Sequence, residues 1–153
     1  ILLDPNNFMA YPWTLVTVFF SQQIILHIFV NMVLVFLFGR PLEILTGGKH
    51  FFLIYFISGI IGSISIIVYA PFINWEGLIA GASASTFGLT SAYAELKPNE
   101  IVLKEKAKQW SIALFVSNLA LMIINPSVSI GGFAHIFGIL IGILYGKAIK
   151  KFI

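Results

Sequence analysis

Charged residues are scarce in this sequence and cysteine is absent. Of its 153 residues, 10% are Asp, Glu, Lys or Arg and 59% are hydrophobic, whereas a soluble globular domain carries about 25% charged residues. Such a chain cannot cover a surface that faces water on all sides, and it has too few polar groups to bind nucleic acid. The lack of cysteine excludes a disulfide framework and a thiolate metal site. The length suits a single domain over residues 1–153, and neither a metal nor a cofactor is expected.

Five apolar stretches divide the chain. They run from Leu15 or Ile24 to Phe38, and over residues 51–70, 78–94, 110–124 and 130–148. Each approaches the roughly 20 residues that a helix needs to cross about 30 Å of hydrocarbon. Helices are expected because a backbone in lipid must satisfy its own hydrogen bonds, and the stretches lack the alternating polarity of barrel strands. The pattern therefore predicts an all-α membrane protein, a polytopic bundle with five transmembrane helices.

The basic residues all fall on one side of this predicted topology. If Ile1 lies on side A, the loops 39–50 and 95–109 and the C-terminus lie on side B, whereas loops 71–77 and 125–129 return to side A. The nine basic residues are Arg40, Lys49, Lys97, Lys104, Lys106, Lys108, Lys147, Lys150 and Lys151, and all lie on side B. By the positive-inside rule, side B and the C-terminus are predicted to be cytoplasmic. The net charge of +3 then reflects topology.

Polar side chains inside such helices are costly, which makes them functional candidates. His27 and Asn31 are four residues apart and so share one face of the first predicted helix. Both side chains can donate a hydrogen bond. Taken alone, the pair is more typical of a polar contact between helices than of a catalytic site.

A segment rich in small residues opens the third predicted helix. It runs from Gly81 to Gly88 and contains Ser83 and Ser85. Gly81, Ser85 and Gly88 form a face of small residues, which lets another membrane helix approach closely. Such faces are common, so this segment alone gives little support for a nucleophile.

The last predicted helix carries a histidine on a similar face. His135 shares a face with Gly138 and Gly142, three and seven residues further on. The smooth face that would pack against the Ser83 helix therefore also presents an imidazole. A single histidine in this position is more often structural.

Considered together, these residues indicate a reaction site. His27, Ser83 and His135 each lie within about two turns of the side-A end of their helix, so the topology places them at one depth, where water can enter. A serine hydroxyl needs an adjacent base, and His135 can take its proton. His27 and Asn31, with the Ser83 backbone N–H, can supply donors to a developing oxyanion.

No carboxylate is available at this depth to orient the histidine. Asp4 is the sole aspartate, and Glu76 lies in a predicted loop. The expected machinery is therefore a Ser–His dyad and not a triad.

Four motifs in this chain resemble those of the rhomboid proteases, and the resemblance extends over nearly the whole length. They are His27-x-x-x-Asn31-Met32, Gly39-Arg40-Pro41-Leu42-Glu43 followed by Gly47, Gly81-x-Ser83-x-x-x-Phe87-Gly88, and Ala134-His135-x-x-Gly138-x-x-x-Gly142. In the family they correspond to the second helix, the first cytoplasmic loop, the nucleophile segment and the base segment. Each motif is weak alone, but the four in this order and spacing are specific.

The resemblance implies a role for each residue. Ser83 would be the nucleophile and His135 the general base, with His27 and Asn31 lining the oxyanion hole and Phe87 placing its ring against the histidine. Family members cut single-pass membrane proteins near the outer face of the bilayer, so such substrates and membrane lipid are the expected partners. The expected location is the plasma membrane of a prokaryote.

The chain also departs from the family pattern. The family core has six helices, so the first is expected to be missing here. Gln22 stands where many members have histidine, and Ala84 follows the serine where glycine is usual.

Two other functions would also suit a bundle of membrane helices. An inactive relative, in the manner of derlins, would bind and escort membrane helices, but such relatives lack the Ser–His pair that is present here. A transporter or channel would carry charged residues at mid-membrane, and none of the five predicted helices does.

Overall fold

The computed structural model describes residues 2–22, 24–73, 75, 77–125 and 130–153. Its helices are α1 (Thr14–Thr17), α2 (Ile25–Leu34), α3 (Arg40–Thr46), α4 (Gly48–Tyr69), α5 (Ser83–Leu96), α6 (Ala107–Ile124) and α7 (Gly131–Ile149). A π-helical turn, Val35–Gly39, joins α2 to α3, and short 3₁₀ segments lie at Val18–Phe20, Ala70–Ile73 and Lys150–Phe152. The prediction of an all-α polytopic membrane bundle is confirmed.

Four helical segments in the described part of the chain are long and apolar enough to cross a membrane. They are Ile25–Thr46, Gly48–Ile73, Ala107–Ile124 and Gly131–Phe152. Large apolar side chains remain exposed along them, as on Ile25, Phe29 and Leu144. This exposure suits a lipid environment, where such side chains need no protein partner.

The remaining helix, α5, differs from the prediction. It has 14 residues, of which 11 are buried, and is about 21 Å long at 1.5 Å per residue. The predicted start at Leu78 is wrong, because Ile79 pairs with Leu3 through two backbone hydrogen bonds of 2.8 and 2.9 Å. Gly81 follows with φ +137°, which is incompatible with a helix. The other helices surround α5, so it is a central helix with little contact with lipid.

The boundaries of the first long helix also need correction. The alternative start at Leu15 is wrong, because Ser21 and Ile24 are extended and separate α1 from α2. The expected break at Gly39–Pro41 is wrong as well, because the helix continues to Thr46. In the π turn the Arg40 N–H bonds to the Val35 carbonyl, and this wider turn accommodates Pro41, which has no N–H.

The long helix ends where the backbone turns left-handed. Gly47 has φ +87°, a conformation that glycine adopts without steric cost at helix ends. Most of the predicted loop 39–50 is therefore helical.

A small hairpin replaces part of the predicted loop 95–109. Strands β1 (Ile101–Val102) and β2 (Glu105–Lys106) pair antiparallel. The two residues between them, Leu103 and Lys104, have φ of 49° and 72°, as in the tight turns that suit the twist of a hairpin. The Trp110 indole N–H donates to the Val102 carbonyl at 2.9 Å and ties the hairpin to α6.

Glycines allow α5 and α7 to touch along their backbones. A Cβ at Gly138 would overlap the carbonyl of Ala84, and one at Gly142 would overlap the carbonyl of Gly88. One turn further on, a Cβ at Gly146 would lie 3.0 Å from the Ala92 carbonyl oxygen. The glycine stripe predicted from spacing thus runs along the contact with the Ser83 helix.

Contacts at side B show that three helix ends lie together. His50 Nδ1 at the start of α4 lies 2.9 Å from the Tyr145 hydroxyl near the end of α7. The Lys150 ammonium donates to the carbonyl of Glu95 at 2.6 Å, and Glu95 is in the last turn of α5. These ends belong to the basic side of the predicted topology.

Candidate active site

Ser83 is the first residue of α5 and lies at the side-A end of the bundle. Its Oγ is 2.6 Å from Nε2 of His135, which lies one turn into α7. Two residues before Ser83, Gly81 has φ +137° and turns the chain into the start of α5. Both side chains are partly exposed, so water at the side-A face can reach them.

The close packing of the two helices accounts for this short distance. Gly138 is three residues after His135, and it contacts the backbone of Ala84, the residue after Ser83. Ser83 and His135 therefore lie beside one of the two places where the backbones of α5 and α7 approach most closely. In the same region α4 packs closely against α5. A Cβ added to Gly62 of α4 would lie 2.7 Å from the Cβ of Ala84.

The imidazole of His135 is held on two further sides. The Phe87 ring lies with its centroid 4.7 Å from that of the imidazole, inclined at 51°, in the place that the family resemblance implied. The Nδ1 atom lies 2.6 Å from Oδ1 of Asn118 on α6. Ring position and ring rotation are thus each constrained by a separate neighbour.

Asn31 is buried and belongs to the same site. The Thr86 hydroxyl lies 3.0 Å from Asn31 Oδ1 and 3.1 Å from the carbonyl oxygen of Ser83. Thr86 therefore links Asn31 to the backbone at the serine. Because the Asn31 oxygen accepts from Thr86, its amide nitrogen is left as the donor.

His27 lies one turn before Asn31 on α2, and its side chain is exposed. Among the described residues no hydrogen bond joins it to Ser83 or His135. Gln22 lies close to the segment before the serine: its Oε1 is buried, has no partner in the described part of the chain, and lies 3.8 Å from a Cβ built on Gly81.

The acidic residues weighed from the sequence do not reach the histidine. Asp4 lies near the start of the chain, where the Asn7 side chain and the Asn6 backbone N–H donate to its oxygens, each at 2.9 Å. These hydrogen bonds, the Asn7 side chain first, hold the pKa of Asp4 below its ordinary value of 3.8. Glu76 lies outside the described residues. No three His, Asp or Glu side chains come together as metal ligands in the described ranges.

Two residues of the site, Asn118 and Thr86, were missed by the sequence reasoning. Asn118 lies within two turns of the side-A end of α6, so the depth criterion applied to Ser83 and His135 would have selected it. On α6 the buried residues are Ala107, Ser111 and Asn118, so two of its polar side chains face the protein. Thr86, in the first turn of α5, meets the same criterion, but its role depends on the distance to Asn31.

The fold and the site together define a class: membrane-embedded helix bundles with a serine and a histidine in contact at one end. A model of the Rhomboid domain matches residues 10–152, and the chain belongs to the Rhomboid family. Members of this family are generally intramembrane serine proteases that act on transmembrane substrates, although some are inactive.

Several curated relatives are similar over most of the chain. YdcA of Bacillus subtilis (strain 168), a rhomboid homologue, is 33% identical over 86% of this chain and 64% of its own length. RHOMBOID-like protein 6, mitochondrial, of Arabidopsis thaliana is 34% identical over 88% of this chain and 42% of its own length. Rhomboid protein 1, mitochondrial, of Saccharomyces cerevisiae is 29% identical over 86% of this chain and 40% of its own length. The chain thus spans less than two thirds of the length of these relatives.

Proposed function

We propose that this chain is an active intramembrane serine protease that hydrolyses peptide bonds of single-pass transmembrane proteins near the outer membrane face. The observation that carries the proposal is the 2.6 Å contact between Ser83 Oγ and His135 Nε2. Membership of the Rhomboid family supports the same reaction type.

The chemistry follows from the two side chains. Ser83 Oγ attacks the scissile carbonyl carbon while His135 Nε2 takes the hydroxyl proton. Collapse of the tetrahedral intermediate breaks the C–N bond, and His135 returns the proton to the leaving amine. Water then attacks the acyl-serine with the same histidine as base, which regenerates Ser83.

The oxyanion requires donors that are in place before the reaction. The backbone N–H of Ser83 lies in the first turn of α5, where helical N–H groups have no partner within the helix. The amide nitrogen of Asn31 is the second candidate donor, held by the contact with Thr86. His27, on the same helix, is the third. Donors of this kind stabilise charge that develops only in the transition state.

Location and orientation are part of the proposal. The nine basic residues support a cytoplasmic side B, with the active serine opening towards the opposite face. The match to a bacterial homologue over 86% of the chain supports the plasma membrane of a prokaryote, although relatives named as mitochondrial are similar over the same region.

Cleavage by the purified protein tests the proposal. We expect the protein in detergent to cut a single-pass test substrate and to react with a fluorophosphonate probe at Ser83. Ser83→Ala and His135→Ala should each abolish cleavage, and the double variant should be no worse, because the pair acts as a unit.

Ser85→Ala is the matched control. This serine is two residues further along α5, fully buried and without a partner among the described residues, so its loss should leave cleavage unchanged. Retention of cleavage in Ser83→Ala would contradict the proposal. Substrate that binds to the wild-type protein but stays intact would favour the inactive relative that binds membrane helices.

A further inference from the structure

We infer that Asn118 is a positioning residue that fixes the tautomer and the rotation of His135, so that Nε2 faces Ser83 as a proton acceptor. This inference rests on the proposed function, since it assigns a third member to the same site. The group is an amide on a helix, α6, that carries none of the residues expected from the sequence motifs.

The contacts of Asn118 determine which way its amide points. Nδ2 lies 2.7 Å from the carbonyl oxygen of Leu114, and Oδ1 lies 2.6 Å from Nδ1 of His135. A carbonyl oxygen only accepts hydrogen bonds, so the NH₂ group must face it. Rotating the amide by half a turn would place two oxygens 2.7 Å apart. Leu114 therefore directs the Asn118 oxygen at the imidazole.

The amide in turn determines the state of the imidazole. An oxygen acceptor 2.6 Å from Nδ1 requires that Nδ1 carries a proton. A neutral imidazole has one N–H, so Nε2 then carries the lone pair. Nε2 lies 2.6 Å from Ser83 Oγ, and the serine hydroxyl donates its hydrogen to this lone pair. The base is thus in the required form before substrate arrives.

The same bond persists through the reaction. When Nε2 takes the proton from Ser83, the hydrogen on Nδ1 stays in place, and Nδ1–H continues to donate to the Asn118 oxygen. No proton moves to the amide, so Asn118 holds the ring in both states without taking part in the transfer.

An amide suits this place better than a carboxylate. Asn118 is 8% exposed and lies inside a membrane-spanning helix, where an ionised side chain is costly. An amide oxygen accepts the same hydrogen bond without carrying charge. The arrangement parallels the Cys–His–Asn sites of soluble proteases, with serine in place of cysteine.

Two variants distinguish the effect of losing the hydrogen-bond acceptor from the effect of changing the volume of the side chain. Asn118→Leu has similar size and no acceptor, whereas Asn118→Asp keeps an acceptor whether or not it is protonated. We expect Asn118→Leu to lower kcat by about 10- to 100-fold with little change in KM, as for a misplaced catalytic group. Asn118→Asp should recover much of that loss. The control is Ser117→Ala, which removes an exposed hydroxyl that contacts the same Leu114 carbonyl at 3.2 Å and should leave kcat unchanged.

The tautomer itself is read by ¹⁵N NMR of histidine-labelled protein, with the His135 signals assigned by comparison with His135→Ala. We expect protonated Nδ1 and unprotonated Nε2 in the wild-type protein and in Asn118→Asp, and a mixture of tautomers in Asn118→Leu. Wild-type protein with the proton on Nε2, or an Asn118→Leu variant with unchanged kcat and tautomer, would overturn the inference. Since this spectrum requires no substrate, it tests the role of Asn118 even if cleavage fails, and absence of cleavage by wild-type protein counts against the proposed function alone.

Discussion

Among single residues, Asn31 links the proposed oxyanion site to the fold. Its side chain is buried, and its oxygen accepts from Thr86, which also contacts the Ser83 carbonyl. Its amide nitrogen is therefore the group proposed to donate to the oxyanion. The sequence identified Asn31 as a donor, but the orientation of the amide depends on a residue 55 positions away.

Removal of this donor should slow the reaction without abolishing it. Asn31→Ala should lower kcat by about 10²–10³-fold, the usual cost of one oxyanion donor, because the Ser83 N–H remains. Thr86→Val should cause a smaller loss of kcat. It removes the hydroxyl that holds the Asn31 amide but leaves the amide itself present. Steady-state kinetics on a transmembrane peptide test both, with Thr86→Ser as the control that retains the hydroxyl. An Asn31→Ala variant with unaltered kcat would exclude this amide from the oxyanion site.

From the sequence, a polar residue that stands in an apolar helix at the right depth is a candidate for the site. Ser83 and His135 met this condition and are in contact in the structure; their catalytic roles stay a prediction. Asn118 met it too, but the search for an orienting group considered only carboxylates. A charged side chain is costly in the membrane, which favours an amide over a carboxylate. This preference could have been inferred from the sequence alone.

Helix positions were predicted more accurately than helix ends. Hydropathy located α4, α6 and α7 to within three residues at each end, because a stretch that must cross lipid is apolar throughout. It misplaced the start of α5, where Leu78–Ala80 are apolar but Ile79 pairs with Leu3. Hydropathy cannot distinguish an apolar strand-like segment from an apolar helix.

The contact between α5 and α7 gives a prediction for the glycine stripe. Gly138→Val should lower both the melting temperature and the turnover, because any Cβ there overlaps the backbone of Ala84, which cannot move like a side chain. A shift of about 1 Å in a catalytic group can cost on the order of 10²-fold in rate. Gly146→Val should affect turnover less, since its Cβ would lie 3.0 Å from Ala92 and it is two turns further from His135.

Thermal unfolding in detergent and kcat are measured for both variants. Gly146→Val serves as the matched control, because it places the same side chain on the same helix face. Full activity and an unchanged melting temperature in Gly138→Val would refute the argument that close approach of these backbones positions His135.

For the whole molecule, the distribution of charge predicts orientation. The ends of α5 and α7 and the start of α4 lie together, and the basic residues belong to this end. The positive-inside rule then predicts that the hairpin between α5 and α6 lies in the cytoplasm.

Cysteine accessibility measures this orientation directly, since the chain has no cysteine of its own. A cysteine introduced by Lys104→Cys, at the exposed turn of the hairpin, should react with an impermeant maleimide only after cells are opened. The control is Asn6→Cys, in an exposed turn on side A, which should react in intact cells. Labelling of Lys104→Cys from outside intact cells would reverse the proposed topology.

The sequence by itself determined that this chain is a membrane-embedded helix bundle, which of its ends carries the positive charge, and which polar residues share one depth. These properties follow from composition and spacing along the chain, because lipid demands apolar helices and charge stays in water. The tertiary structure alone decided that α5 is enclosed by its neighbours, that Thr86 holds Asn31, and that Asn118 meets the imidazole of His135. Those features depend on how side chains from separate helices are oriented where glycines let the backbones touch, and no spacing within one helix specifies them.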